Sequence, residues 1–468
     1  MALENTHYGA ERIAQMLENC HSLYFIGVGG ISMSSLARMS LMAGYRVGGS
    51  DRTPNAQTKQ LEEMGAVVYH AHRAEQIKGY DAVIYTVAIG ESNPEYQAAL
   101  QANLPVISRA DYLGYLMVRY QTRIGIAGMH GKSTCTAMCA HIFLQAADPT
   151  VLCGAELPEL CGSTCRIGRE RSHFIFEACE YMDSFLDFYP TLAVILNVDL
   201  DHVDYFKSIE QVRESYLRYA KQTGEGGTVL YNADSRDAVL AMMPYTGKKI
   251  TFGFSEEADY RAQSFESKLG KTHFDLTFGG EILCKIEIPV PGLHNAYNAL
   301  AAAVCALLCG IAPQAIADAL QSFCGAGRRM QRKGSINGAE VYDDYGHHPK
   351  EIKATLAAAR SMGYKRVLCA YQPHTYSRTA GLWQDFVKSF DDADGIFLVD
   401  IYAAREQNIY GVSSDLLAGA IGEKAVYCQS FSALADTIAK QARGGDLVVV
   451  MGAGDIFKTF DLLPFDKE

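Results

Sequence analysis

Residues Arg123 to Ala140 run Arg-Ile-Gly-Ile-Ala-Gly-Met-His-Gly-Lys-Ser-Thr-Cys-Thr-Ala-Met-Cys-Ala. They read as an apolar strand, a glycine-rich turn and a helix that opens on Lys132, Ser133 and Thr134. That order builds a phosphate cradle. Gly128 and Gly131, with Met129 and His130 between them, let backbone N–H groups approach an anion. The helix N-terminus adds partial positive charge and Lys132 adds a full one. Ser133 or Thr134 can hold a magnesium ion that bridges phosphates. The usual spacing is G-x-x-x-x-G-K-[ST]; here Ile126 stands at the first glycine, so the turn is a variant. The chemistry indicated is that of a nucleoside triphosphate.

Six further clusters stand where apolar runs end. Gly27-Val-Gly29-Gly30-Ile-Ser32 approaches the dinucleotide fingerprint G-x-G-x-x-G, with Ser32 at the third glycine and Asp51 closing the next strand. That geometry suits NAD and a UDP-sugar equally, since both present a diphosphate. Phe176-Glu-Ala-Cys-Glu180 places Glu177 beside the cradle as a magnesium ligand, with Glu180 of unassigned role. Asn197-Val-Asp-Leu-Asp-His-Val-Asp204 offers His202 as a ligand for a second magnesium; the alternative is a salt-bridged loop residue. In Pro291-Gly-Leu-His-Asn-Ala-Tyr-Asn298, Asn295 and Asn298 share one helix face, where they cap the helix or read an adenine edge. Tyr342-Asp-Asp-Tyr-Gly-His-His-Pro349 and Tyr371-Gln-Pro-His-Thr-Tyr-Ser-Arg-Thr379 are too polar for plain turns, and ligands gather at such strand ends.

Positioning these clusters takes alternating strands and helices, hence parallel sheets with crossovers. Strands are expected at 22–29, 45–51, 67–69, 82–86 and 105–107, then at 124–127, 174–177, 192–197 and 227–231. Residues 250–290 read as mostly β, 295–309 as a helix and 325–330 as a linker. A last alternating set follows: strands at 341–344, 366–370, 395–399 and 447–451, with helices at 350–362 and 382–390. At 468 residues the chain is long for one core. The expected domains are 1–120, 121–327 and 328–468.

Apolar residues make up 49% of the chain and charged ones 20%, a globular balance. The net charge of −11 argues against non-specific nucleic-acid binding. The longest helical apolar stretch, Ala299 to Ile311, is too short to span a bilayer, and the first residues show no signal peptide, so a cytoplasmic protein is expected. The 13 cysteines are scattered, without CxxC knuckles, and read as buried thiols.

Taken together, the motifs resemble those of the Mur ligase family. They run in that family's order over residues 22–455: G-V-G-G-I-S-M-S, G-M-H-G-K-S-T, E-A-C-E, N-V-D-L-D-H, P-G-L-H-N-A-Y-N-A-L, G-R-R, D-D-Y-G-H-H-P, Q-P-H-T-Y-S-R-T and G-D-L-V-V-V-M-G-A-G-D-I. The resemblance implies three α/β domains. These are a Rossmann-like UDP-binding domain, a P-loop ATPase-like parallel-sheet domain with a small β appendage, and a C-terminal Rossmann-like domain. It implies ATP and two magnesium ions, with Gly128 to Thr134 on the phosphates, Lys132 on the transferred group, and Glu177 and His202 on the metals. Asn295 and Asn298 contact the nucleotide, Arg329 and Asp344 bring ATP contacts from the linker and third domain, and His347, His348 and Arg378 line the amino-acid side. Gly27, Gly29, Gly30, Ser32 and Asp51 then serve UDP rather than NAD.

Some members carry a carbamylated lysine after the Asp-His pair. By count that position is Tyr216 here, which favours the branch adding L-alanine to UDP-N-acetylmuramate through an acyl phosphate. The rival readings are a ligase returning recycled peptide to the same sugar nucleotide, a nicotinamide-dependent oxidoreductase and a non-enzymatic nucleotide switch. Oligomeric state stays open.

Overall fold

The three alternating sets fold into three sheets in a computed structural model that describes residues 3–202, 205–404 and 406–466. The first sheet comprises β1 (Ser22–Ile26), β2 (Arg46–Ser50), β3 (Val67–Tyr69), β4 (Ala82–Tyr85) and β5 (Val106–Ser108), all parallel, in the order β3-β2-β1-β4-β5. β1 is buried along its whole length, as a central parallel strand covered on both faces must be. After it comes the helix Ile31–Met42, and after β5 the helix Arg109–Met117, capped by the Ser108 hydroxyl on the Asp111 N–H.

The central sheet has ten strands. β6 (Thr122–Ala127) leads into the cradle and the helix Lys132–Ala146, and β7 (Thr150–Leu157) and β8 (Ser163–Arg166) form one margin. β9 (His173–Glu177), β10 (Leu192–Ile195), β11 (Thr228–Asn232) and β12 (Lys248–Gly253) extend the parallel set, and β13 (Tyr260–Lys268), β14 (Lys271–Phe278) and β15 (Glu281–Ile288) add the antiparallel appendage. The order is β15-β14-β13-β12-β11-β10-β6-β9-β7-β8. Thus β10, β6 and β9 are neighbours, and the loops at their carboxyl ends meet. The third sheet runs β16-β17-β21-β18-β19-β20, from β16 (Gln331–Ile336), β17 (Ala339–Asp344), β18 (Arg366–Tyr371), β19 (Gly395–Leu398), β20 (Ala425–Tyr427) and β21 (Asp446–Met451).

Three local expectations change. The third sheet opens with the antiparallel β16–β17 hairpin rather than at Val341. β7 and β8 were not anticipated, because β7 turns exposed midway, at Gly154, and loses its apolar run. The helix expected at 382–390 shortens to Trp383–Val387, and a separate helix, Tyr376–Gly381, precedes it; Leu382, whose backbone leaves the helical region, divides them.

The first and central sheets are joined by apolar packing. One buried cluster holds Phe25 and Tyr112 together with Phe176, Phe188 and Tyr219. The third sheet's two clusters contain only its own residues and the linker's Met330. At the first junction Gly114 touches the central domain so closely that an added Cβ would lie 2.0 Å from the Asp187 carbonyl oxygen. Gly114→Ala is therefore expected to wedge the two domains apart, at about 1–3 kcal/mol of overpacking; a lowered denaturant midpoint with retained secondary structure is the measurable outcome.

Candidate active site

Three strand ends deliver one ionisable group each to a single point. Lys132 opens the helix after β6, Glu180 follows β9 and His202 follows β10. Glu180 Oε2 lies 3.0 Å from Lys132 Nζ, and Glu180 Oε1 lies 3.3 Å from His202 Nε2. The Glu180 side chain is 1% exposed. Burial opposes its charge, but Lys132 and His202 outweigh burial and hold the carboxyl below its usual range. Burial likewise opposes the Lys132 ammonium, and Glu180, with Cys179 and Glu177 near, holds its pKa above the ordinary value. Lys132 also donates to the Gly128 carbonyl, 2.5 Å away. Its ammonium is thus folded over the turn and fixed there. Val203 and Asp204, the end of the His202 motif, lie outside the described residues.

The cradle is braced from both sides. Asn197 accepts the His130 N–H and donates to the His130 carbonyl, both at 2.9 Å. Gly131 adopts φ +86°, and a Cβ on it would sit 2.4 Å from Asn298 Oδ1, so only glycine fits. Met129, Ser133 and Thr134 are buried. Glu177 Oε1 accepts from the Gly154 N–H at 2.6 Å and from the Cys153 thiol at 3.3 Å, and that thiol also reaches the Ser133 carbonyl. Asn295 Nδ2 donates to the Pro291 carbonyl at 2.8 Å, which ties down its own helix start, and Asn295 Oδ1 faces Asn298 Nδ2 at 3.5 Å.

The linker and third domain close over this edge with polar groups. Arg329 Nη2 donates to Ser133 Oγ at 3.3 Å. Asp344 accepts from the Met330 and Gly346 N–H groups, and burial pushes its pKa up to about 6. His348 caps the helix Pro349–Ser361. Glu351, three residues on, accepts the His347 and His348 N–H groups and meets His130 Nδ1 at 3.1 Å. Arg378 pairs with Asp201 at 3.0 Å, both almost wholly buried, which holds Asp201 ionised well below its usual range despite burial. Lys350 pairs with Asp199.

Sequence reasoning left Glu180 unassigned and missed Glu351. The spacing His348-Pro-Lys-Glu351, a capping-box pattern, was a signal for the second.

Between these groups lies a cavity of about 470 Å³ whose lining includes His130, Asn295, Asn298, Arg329, Asp344 and Glu351. His130 Nε2 and Arg329 Nε are buried there without a hydrogen-bond partner among the described residues. The open Arg329 Nε–H beside a cradle fits a polyanionic nucleotide. Magnesium bound with phosphates takes most of its ligands from phosphate and water, so few protein donors suffice. Glu177 Oε2, which carries no hydrogen bond among the described residues, and the Ser133 hydroxyl are donors of the right hard type. His202 faces Glu180 instead. Among the described residues no three His, Cys, Asp or Glu side chains converge as a metal cluster.

A second cavity, about 500 Å³, lies at the edge of the first sheet, lined by Gly27, Gly30, Asp51, Arg52, His72 and Thr86 among others. Asp51 Oδ2 accepts the Gly29 N–H at 3.0 Å, while Asn55 holds the Gly29 carbonyl. Asp51 thus braces the turn. Ser32 accepts from Arg109.

A fold of three α/β units around a phosphate cradle defines a nucleotide-using enzyme class, and three family models specify it. The description "Mur ligase family, catalytic domain" matches residues 22–121, "Mur ligase middle domain" 126–306 and "Mur ligase, glutamate ligase domain" 328–454. The chain belongs to the Mur ligase family. It is 41% identical to the UDP-N-acetylmuramate--L-alanine ligase of Clostridium novyi, over 95% of this chain and 97% of that one. With the enzyme of the same name from Caldicellulosiruptor saccharolyticus it is 40% identical, over 95% and 98%. Among solved structures it superposes on UDP-N-acetylmuramate-alanine ligase from Thermotoga maritima with a TM-score of 0.78, covering 94% of this chain and 97% of that one at 24% identity. No helix of the described residues is long and apolar enough to cross a membrane.

The site also sets an acid response. Burial lowers His294, His347, His348 and His374 to about 4. Between pH 6.5 and 4 the unfolded chain binds those protons and the folded chain does not, so stability falls as pH falls. Asp344 and Asp187, raised by burial, act oppositely between about pH 4 and 6 but are outnumbered. His347→Asn removes one such proton, so the plot of unfolding free energy against pH should become shallower over that window, by at most about 1.4 kcal/mol per pH unit. Denaturant titrations at pH 7, 6, 5 and 4.5 measure it.

Proposed function

We propose that this chain joins L-alanine to the lactyl carboxylate of UDP-N-acetylmuramate at the expense of ATP, a cytoplasmic step of peptidoglycan synthesis. The observation that carries the reading is the 41% identity, over nearly the whole of both chains, to a ligase of that name. The buried Lys132–Glu180–His202 set supplies a place for the chemistry. On this reading residues 1–120 hold the sugar nucleotide, 121–327 hold ATP and 328–468 close over them.

A lactyl carboxylate oxygen attacks the terminal phosphorus of ATP, the bond from that phosphorus to ADP breaks, and ADP and an acyl phosphate result. The amine of alanine then attacks the acyl carbon, and phosphate leaves. Lys132, fixed over the turn, faces the charge that develops on the phosphoryl oxygens. Backbone N–H groups from Gly128 to Thr134 orient the phosphates, while Asn295, Asn298, Arg329 and Asp344 border the nucleotide cavity. Ser133 and Glu177 are the residues that would hold magnesium, which when bound neutralises phosphate charge, while His202 stays against Glu180. His347, His348 and Arg378 face the amino-acid side. Acyl phosphates hydrolyse readily, and the polar closure of the third domain keeps water away from them.

A coupled phosphate assay with UDP-N-acetylmuramate, ATP and magnesium, run with L-alanine, other amino acids or a tripeptide, tests the assignment. Alanine-dependent phosphate release is expected; turnover with tripeptide alone would replace alanine addition by peptide recycling. Lys132→Ala should lower turnover at least about 1,000-fold, as loss of a transition-state cation does. Its affinity for UDP-N-acetylmuramate by calorimetry should persist, because the two cavities lie on different domains.

A further inference from the structure

Arg109 opens the helix that follows β5, at the carboxyl edge of the first sheet. Its guanidinium crosses that edge: Nη1 donates to Ser32 Oγ at 3.1 Å, in the first turn of the helix that follows the glycine-rich turn. On the other side it faces the central domain, where Cys179 and Asp187 act on it electrostatically. Cys179 adjoins Glu180, the anchor of Lys132. The guanidinium therefore stands on the line from the first glycine turn to the phosphate cradle.

Its hydrogen bonding is incomplete. A guanidinium carries five N–H donors, and the Ser32 hydroxyl takes one. Two nearby cations are satisfied: Arg123 donates to the Tyr189 and Tyr120 carbonyls, and Lys132 is paired with Glu180. Arg109 has no ion pair among the described residues. Half-buried at a domain junction, it loses part of its hydration, and Asp187 acts on it only from beyond ion-pair distance. A planar fork in that position matches a carboxylate or a phosphate, both of which accept two parallel N–H bonds.

We propose that Arg109 is a substrate-binding residue whose guanidinium receives an anionic group of the sugar nucleotide, its diphosphate or its lactyl carboxylate, between the first glycine turn and the phosphate cradle. This rests on the ligase reading above. The two anions share their chemistry, and the ligands of the test separate them.

Calorimetry on the wild type, Arg109→Lys and Arg109→Gln with UDP, UDP-N-acetylglucosamine (which lacks the lactyl carboxylate) and UDP-N-acetylmuramate decides the matter. Arg109→Gln should bind UDP-N-acetylmuramate about 10–100-fold more weakly, the worth of a charged hydrogen-bond pair, and Arg109→Lys should recover only part of that. Equal weakening for all three ligands assigns the diphosphate; weakening confined to UDP-N-acetylmuramate assigns the carboxylate. Unchanged melting and unchanged affinity for a non-hydrolysable ATP analogue separate lost recognition from lost structure. A folded Arg109→Gln that binds UDP-N-acetylmuramate as tightly as the wild type overturns the proposal. A wild type that does not bind UDP-N-acetylmuramate overturns the ligase reading itself.

Discussion

The buried carboxylate of Glu180 is the constraint on which the rest of the site depends. It faces the Lys132 ammonium and the His202 ring from two other strand ends, and water scarcely reaches it. Removing its charge would leave Lys132 buried and unpaired, a loss of about 3–5 kcal/mol in comparable pairs. The sheet order makes the arrangement possible: β10, β6 and β9 are adjacent and parallel, so their carboxyl ends open on one point. A lysine held this way meets an incoming phosphate without first being ordered, and the entropy of fixing its long side chain is spent during folding.

The two domain junctions differ in kind, and the difference bears on motion. The first and central sheets share an apolar cluster and a backbone contact at Gly114 that leaves no room for a methyl group. Such a junction behaves as one core. The third domain meets the central one through Lys350–Asp199, His130–Glu351, Arg329–Ser133 and Arg378–Asp201. Water can replace most of these, so separating the domains costs little for the exposed pairs. Arg378–Asp201 is the exception. Both partners are buried, so opening there must rehydrate two charges, and this pair is the stiffest part of the closure.

Much of this was legible in the sequence because the chemistry sits at strand ends, where apolar runs break into polar clusters. Gly131 and Lys132 announced the cradle, and the runs at 174–177 and 192–197 located the neighbouring strands that flank it. Two things were not legible. Which of Glu177 and Glu180 faces Lys132 depends on how the chain turns after β9, where Met182 and Asp183 adopt left-handed backbone angles that no residue type there requires. The role of Glu351 depends on the third domain folding back over the cradle, a contact 221 residues distant from His130. The break at Leu382 and the β16–β17 hairpin were hidden for a simpler reason: short elements carry too few residues for periodicity to register.

Tyr216 shows how packing limits what this site can hold. By count from the Asp-His pair it is the position at which the family resemblance expects a carbamylated lysine in other members. The ring is wholly buried, 5.3 Å from Phe185 and edge-on to it, and Phe185 in turn stacks on Tyr219 at 4.6 Å. Burial raises the pKa of the Tyr216 hydroxyl well above its ordinary value, so the group stays neutral. A lysine there would bring an ammonium-bearing chain into a pocket walled by aromatic rings, and carbamylation would only exchange one buried charge for another. The cost of either is several kcal/mol unless a partner is supplied. In this chain that space is given to apolar packing beneath the cradle, and the anchoring charge comes from Glu180, one strand over, where Lys132 and His202 compensate it.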